Sequence, residues 1–122
     1  MLLDSNILIY LRDSAVGSLV MHRLGSSRLH TCNIVVAEVL GYKYLTSTDM
    51  RYFERLFAAM KNHLFDEAVT TKTIELRRTY HIALPDAMIA ATALVHNLTL
   101  CTHNTEDFAK ITELKLYDPL SA

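Results

Sequence analysis

Short apolar segments recur along this chain, each too brief for a helix and each followed by a longer stretch with helical spacing. That alternation points to a parallel sheet whose strands are joined by helices that cover both its faces. Leu2 to Asp4 has room only for a short strand, and Ser5 to Arg12 reads as a helix with Ile7, Leu8 and Leu11 on one face. Leu19 to Leu24 keeps the helical pattern until Gly25-Ser26-Ser27 breaks it. Leu29 to Cys32 is a second strand. Asn33 is placed to cap a helix running to about Leu45, and Ser47 or Thr48 to cap the next. Met50 to Asn62 sets Tyr52, Phe53, Leu56, Phe57 and Met60 opposite Arg51, Arg55 and Lys61, an amphipathic helix. His63 to Asp66 then reads as a short strand and Glu67 to Tyr80 as a helix ending in Arg77-Arg78. Ile82-Ala83-Leu84-Pro85 is a loop, because a proline restricts its predecessor to extended geometry, and Asp86 to Asn97 is a helix of small apolar residues. Thr99 to Thr102 is a strand, Glu106 to Ile111 a short helix and Leu114 to Tyr117 a last strand.

Four acids stand at the edges of these apolar segments: Asp4, Glu38, Asp86 and Asp107. A carboxylate beside a buried face needs a partner, or its pKa shifts until it is neutral. Two carboxylates ~4 Å apart repel by about 1 kcal/mol in water and about 4 kcal/mol at an effective dielectric near 20. Gathering four is unfavourable unless a cation sits among them. In a parallel sheet, sites form at the carboxyl ends of the strands. Asp4 closes the first strand and Asp107 follows the strand over Leu100 to Thr102, which places both on that edge if the two strands are parallel. Glu38 shares a helix face with Ile34, Gly41 and Leu45 and lies about 140° from Lys43 at ~100° per residue, so it points away from the solvated side. Taken singly, Asp4 is an N-cap, Asp86 a helix-start acid, Asp107 a helix-start or solvent acid and Glu38 half of an ion pair. Taken together they are the signature of a metal site, and composition and spacing alone leave the two readings side by side.

Residue order then carries a family resemblance. Leu3-Asp4-Ser5-Asn6-Ile7-Leu8 resembles the opening of PIN-domain proteins, and Val35-Val36-Ala37-Glu38-Val39-Leu40-Gly41 their helix-borne glutamate motif. Leu84-Pro85-Asp86-Ala87-Met88-Ile89-Ala90-Ala91-Thr92-Ala93 matches most closely, and Thr102-His103-Asn104-Thr105-Glu106-Asp107-Phe108 resembles the closing motif. Over its whole length the chain is similar to the VapC-type ribonuclease toxins of type II toxin–antitoxin systems. The resemblance implies a three-layer α/β/α fold with a central parallel sheet of four to five strands, a single PIN-like domain spanning residues 1–122. It implies a Mg²⁺ or Mn²⁺ site lined by Asp4, Glu38 and Asp86, with the fourth place taken by Asp107 and Asn104 as an accessory ligand. Ser5, Asn6 and Thr102 would hold those acids in place. The implied activity is endonucleolytic RNA hydrolysis leaving a 5′-phosphate and a 3′-hydroxyl, held in check by a cognate VapB-like antitoxin, in a homodimer. A catalytically silent PIN-fold binding module and a solitary PIN nuclease of RNA processing remain the alternatives.

Composition agrees with that class and excludes others. Oxygen ligands without paired His or Cys suit Mg²⁺ or Mn²⁺ rather than Zn²⁺. Twelve basic against thirteen acidic residues give a net charge of −1, so RNA contact has to come from local patches. Arg12, Arg51, Arg55, Arg77 and Arg78 are solvated helix charges first and phosphate contacts second. The Arg51-Tyr52-Phe53 and Arg55-Leu56-Phe57 interleaving is likewise core packing before it is an RNA platform, an antitoxin groove or a dimer face. His103 reads as an exposed loop residue, and the other five histidines show no pairing. Cys32 and Cys101 read as small buried hydrophobes of a reducing compartment. The start Met1-Leu2-Leu3-Asp4 has no basic leader, and no apolar run is long enough for a membrane span, so a cytoplasmic protein is expected.

Overall fold

The computed structural model describes residues 1–13 and 15–121. Five short strands, β1 (Leu2–Leu3), β2 (His30–Cys32), β3 (Lys61–His63), β4 (Leu100–Cys101) and β5 (Leu116–Tyr117), form one sheet in the order β3-β2-β1-β4-β5. Every neighbouring pair is parallel. Successive strand residues point to opposite faces, and Leu2, Leu3, Leu100 and Cys101 are all 0% exposed. Both faces of the sheet centre are therefore covered, as the alternation of segments requires.

The covering helices are α1 (Ser5–Arg12), α2 (Gly17–Leu24), α3 (Asn33–Leu40), α4 (Ser47–Ala58), α5 (Glu67–Thr79), α6 (Leu84–Val95) and α7 (Thr105–Phe108). α1 begins at Ser5 because Asp4 has extended backbone and its carboxylate accepts from the Ser5 N–H. Asp66 caps α5 in the same manner, accepting from the Val69 N–H. α6 starts at Leu84, two residues before the expected Asp86. Proline fits a first helical turn, whose N–H groups lack intrahelical acceptors in any case. No helix among the described residues is long and apolar enough to cross a membrane.

Several local expectations are corrected. α3 stops at Leu40 rather than near Leu45. Gly41 follows as its C-cap, with its N–H still donating to the Ala37 carbonyl at 2.9 Å, and an added Cβ there would lie 2.5 Å from that oxygen. Asn33 is the first residue of α3 rather than its cap, and its Oδ1 accepts from Asn62 Nδ2 at 2.7 Å. Thr46, not Ser47 or Thr48, caps α4, accepting from the Asp49 N–H at 3.1 Å. Lys61 and Asn62 belong to β3 rather than to α4, and residues 64–66 lie outside the strand. Parallel pairing of His30, Thr31 and Cys32 with Lys61, Asn62 and His63 sets that boundary. α7 ends at Phe108, whose side chain is 0% exposed, and Ile111 is buried beyond the helix.

Phe53 and Met60 from the aromatic stripe of α4 lie in the core, and Tyr52, Leu56 and Phe57 pack against it. Burial takes up Phe53 and Met60, while Tyr52 and Leu56 still line an open pocket of about 310 Å³ together with Arg55 and Ala59. Cys32 and Cys101 are buried and free, with burial pushing their thiols up to about 11 and about 12.

Three of the histidines expected to stand alone are in contact. His30 Nδ1 and His63 Nε2 are 2.8 Å apart with ring planes 6° from parallel. Their centroids are 5.0 Å apart, which equals the nitrogen gap plus one ring radius on each side, so the rings meet edge to edge in one plane and share a single proton. His96 lies over His63 at 4.1 Å. Burial lowers the pKa of both paired histidines below 6.5. The terminal ammonium, Arg28, Lys61 and His96 add to this at His30, and His96, His30 and Lys61 at His63, against Asp66. The unfolded chain therefore binds protons that the fold refuses, and stability falls as pH drops below 6.5 towards the folded pKa values. Melting temperatures of His63→Gln measured from pH 7 to pH 5 should decline less steeply than those of the wild type. Parallel slopes would show that the pair does not carry the effect.

Candidate active site at the carboxyl edge of the sheet

The chain builds outward from β1 to β2 and β3, then crosses back to place β4 on the other side of β1. The crevice at such a crossover, outside the carboxyl ends of the strands, is where α/β sheets bind ligands. Asp4 follows β1 there and Thr102 follows β4. The ladders extend one residue past each strand, with the Asp4 N–H donating to the Cys101 carbonyl at 2.9 Å and the Thr102 N–H to the Tyr117 carbonyl at 3.0 Å.

Asp4 is 5% exposed and both of its oxygens are engaged. Oδ1 accepts from the Ser5 N–H at 2.8 Å and Oδ2 from the Thr102 hydroxyl at 2.7 Å. Thr102, itself 0% exposed, accepts in turn from the Asn104 N–H at 3.0 Å, so one hydroxyl ties the loop after β4 to the acid after β1. The Ser5 hydroxyl donates to Glu38 Oε1 at 3.2 Å and links α1 to α3. Asn6 Oδ1 accepts from the His103 N–H at 3.3 Å, a second tie across the crevice. Asp4, Ser5, Asn6, Glu38, Thr102 and the backbone of Asn104 thus form one connected set.

Asp86 and Asp107 join them through charge rather than hydrogen bonds. The Asp4 carboxyl is raised above its ordinary pKa chiefly by burial, against the hydrogen bonds it accepts, with a further push from Asp107. Glu38 is raised by burial and then by Asp4 and Asp86. Asp86 is raised by burial and then by Asp4 and Asp107, with Lys110 opposing. Each of these acids resists ionisation chiefly because it is buried, and the neighbouring acids add to that resistance. Glu38 is solvent-exposed, which corrects the view that it faces away from water: it faces the crevice, and the crevice is open. Asp107 and Asn104 lie on the exposed rim.

Among the described residues, no three His, Cys, Asp or Glu side chains converge closely enough to chelate an ion directly. An all-oxygen set that is coupled but open fits a hard divalent cation, since Mg²⁺ keeps several waters and takes only one or two carboxylates directly. It does not fit Zn²⁺, which wants nitrogen or sulfur in a closed tetrahedron.

Two neighbours of the site escaped the sequence. Asp118 follows β5 on the same edge, and its Oδ2 lies 3.0 Å from His103 Nδ1, while Tyr10 meets the His103 ring edge-on at 5.7 Å. The strand-end reasoning that singled out Asp4 applies equally to Asp118. Lys110, the cation near Asp86, left no local signal. Of the arginines considered for RNA, Arg12 is engaged with Asp49 at 2.7 Å and lies over the Tyr52 ring, and Arg77 donates to the Ile82 carbonyl.

The family model of the PIN domain matches residues 1–114. Among solved structures, a toxin–antitoxin complex from Klebsiella pneumoniae is 28% identical, with 99% of this chain and 98% of that chain covered and a TM-score of 0.82. VapBC-1 from nontypeable Haemophilus influenzae is 26% identical, with 98% of each chain covered and a TM-score of 0.85. FitAcB from Neisseria gonorrhoeae is 27% identical, with 99% of each covered and a TM-score of 0.79. No curated protein matches the chain.

Proposed function

The chain belongs to the PIN domain family, and from that premise we propose that it is the VapC-type toxin of a toxin–antitoxin pair, an endoribonuclease dependent on Mg²⁺ or Mn²⁺. The observation that carries the proposal is the gathering of acids at the strand crossover, where Ser5 bonds both Asp4 and Glu38, Thr102 bonds Asp4, and neighbouring acids add to burial in raising Asp4, Glu38 and Asp86. Acids so placed repel one another, and a bound cation would balance that repulsion. When bound, the ion lowers the pKa of water and neutralises charge developing on the phosphodiester.

Each residue of the chain has a task in that scheme. Asp4, Glu38, Asp86 and Asp107 supply the negative charge that recruits the ion, and Asn104 adds a neutral oxygen on the rim. Ser5 and Thr102 fix the carboxylates of Glu38 and Asp4 so that no rotamer search is needed when substrate arrives. Asn6 holds the loop after β4 against α1. The solved relatives that are toxin–antitoxin complexes support a VapB-like antitoxin as partner, and a homodimer is the assembly proposed with it.

The test is cleavage of single-stranded RNA by the purified chain with Mn²⁺ or Mg²⁺ and with a chelator. Activity should appear with either ion, vanish with the chelator and return when the ion is restored. Equal activity throughout would overturn the metal dependence, and no cleavage under any condition would favour a binding module.

A further inference from the structure

Beside Glu38 the crevice continues into a pocket of about 450 Å³ lined by Ser5, Asn6, Ile9, Glu38, Val39 and Tyr42. Its surface is mostly apolar, although it opens directly from a cluster of acids. The early end of α3 at Gly41 leaves the following turn, Tyr42-Lys43-Tyr44, outside the core, with the tyrosines 56% and 70% exposed. Their rings meet edge to face at 5.5 Å, and Lys43 Nζ lies 5.1 Å from the Tyr44 centroid. Ile9, across the pocket, is 50% exposed. The fold thus holds aromatic and aliphatic surface in water next to the acids, where core packing gives no reason for it.

The lining restricts what can enter. The apolar walls offer a phosphate nothing to replace its hydration, whereas with an aromatic face they favour stacking of a flat uncharged ring. Asn6 Oδ1 is already occupied by the His103 N–H, so its amide group offers N–H donors, which suit the acceptor edge of a base. Lys43, between the two tyrosines, supplies the cation that single-strand binding surfaces pair with stacking rings. The Arg51-Tyr52-Phe53 segment does not qualify, because Phe53 is 1% exposed.

We propose that this pocket is the nucleobase subsite of the RNA substrate, in which a base next to the scissile phosphate stacks on Tyr42 while Tyr44 and Lys43 hold the adjoining strand. The proposal rests on the ribonuclease function proposed above.

The test uses the full chain and Tyr42→Ala, Tyr42→Phe and Tyr44→Ala, with short fluorescent oligouridine and oligoadenosine as probes. Binding is measured with Ca²⁺ in place of Mn²⁺, with strand integrity checked on a gel, and cleavage is measured with Mn²⁺. Tyr42→Ala should bind on the order of tenfold or more weakly, with a raised KM and a nearly unchanged kcat, and Tyr42→Phe should behave as wild type. Circular dichroism should be unaltered, since both rings are exposed. Wild-type affinity and KM in Tyr42→Ala, while the wild type still cleaves, would overturn the subsite and leave the ribonuclease standing. Loss of antitoxin association in Tyr42→Ala with RNA binding intact would overturn it in favour of a peptide groove. A wild type that neither binds nor cleaves RNA would overturn both proposals.

Discussion

Asp4→Asn should reduce RNA cleavage by about a thousandfold or more and leave the protein folded. Divalent ions contribute several kcal/mol of transition-state charge stabilisation, and each 1.36 kcal/mol is a factor of ten in rate. Asp4 is the most buried of the four acids and the one whose oxygens are both fixed, by Ser5 and Thr102. Asparagine keeps its size but removes the charge that would draw the ion, and it can present only one oxygen to two donors. Stability should move the other way. The folded Asp4 carboxyl lies above its ordinary 3.8, so its stabilising contribution exists when it is protonated and is lost as pH rises through the folded pKa. At neutral pH the ionised group costs stability, and the neutral amide relieves that cost. Turnover and thermal melts on the same preparation check both halves. Wild-type turnover in rigorously purified Asp4→Asn protein would remove Asp4 from the site.

Phe53→Ala should be the most destabilising substitution on α4, by about 3–5 kcal/mol, the usual range for truncating a buried phenylalanine. Phe53 is 1% exposed and meets Tyr52 edge-on at 5.2 Å, so the cavity left behind has core on every side. Against a total stability of about 5–15 kcal/mol, that is a large share. The melting temperature should fall by roughly 10–20 °C for a chain of this size. Phe57→Ala should cost less, because Phe57 is only partly buried against the core. Denaturant unfolding of both variants separates the two. An antitoxin that binds only the folded form would rescue Phe53→Ala by mass action, whereas a direct contact at Phe53 would appear as lost affinity at unchanged stability. The second result would return the stripe to the role of a groove.

Periodicity revealed α1 without error and the existence of every other element, because burial on one face leaves a repeating mark in the residues. Boundaries failed where the deciding contact was distant in the chain. Lys61 and Asn62 look helical beside the α4 stripe, yet their backbone pairs with β2. α3 stops at Leu40, and the close approach of Gly41 to the Ala37 carbonyl, which leaves no room for a Cβ, is something periodicity does not register. The same early stop turns Tyr42 and Tyr44 outward. The proton-sharing His30 and His63 pair is invisible locally, since the residues are 33 apart and meet only when β2 and β3 align.

The acids, their order along the chain and their family likeness were all set by the sequence, because alternation marks the apolar segments and the acids stand against them. Their partners were set by the strand order β3-β2-β1-β4-β5. Nothing local makes β4 the neighbour of β1. That choice comes from burying both faces of the central strands, and it brings Thr102 within 2.7 Å of Asp4 across 98 positions of chain. Asp118 and His103 meet for the same reason, as does the open crevice that Glu38 faces. A sequence can specify which groups are costly to bury. Only the packed sheet determines which of them meet.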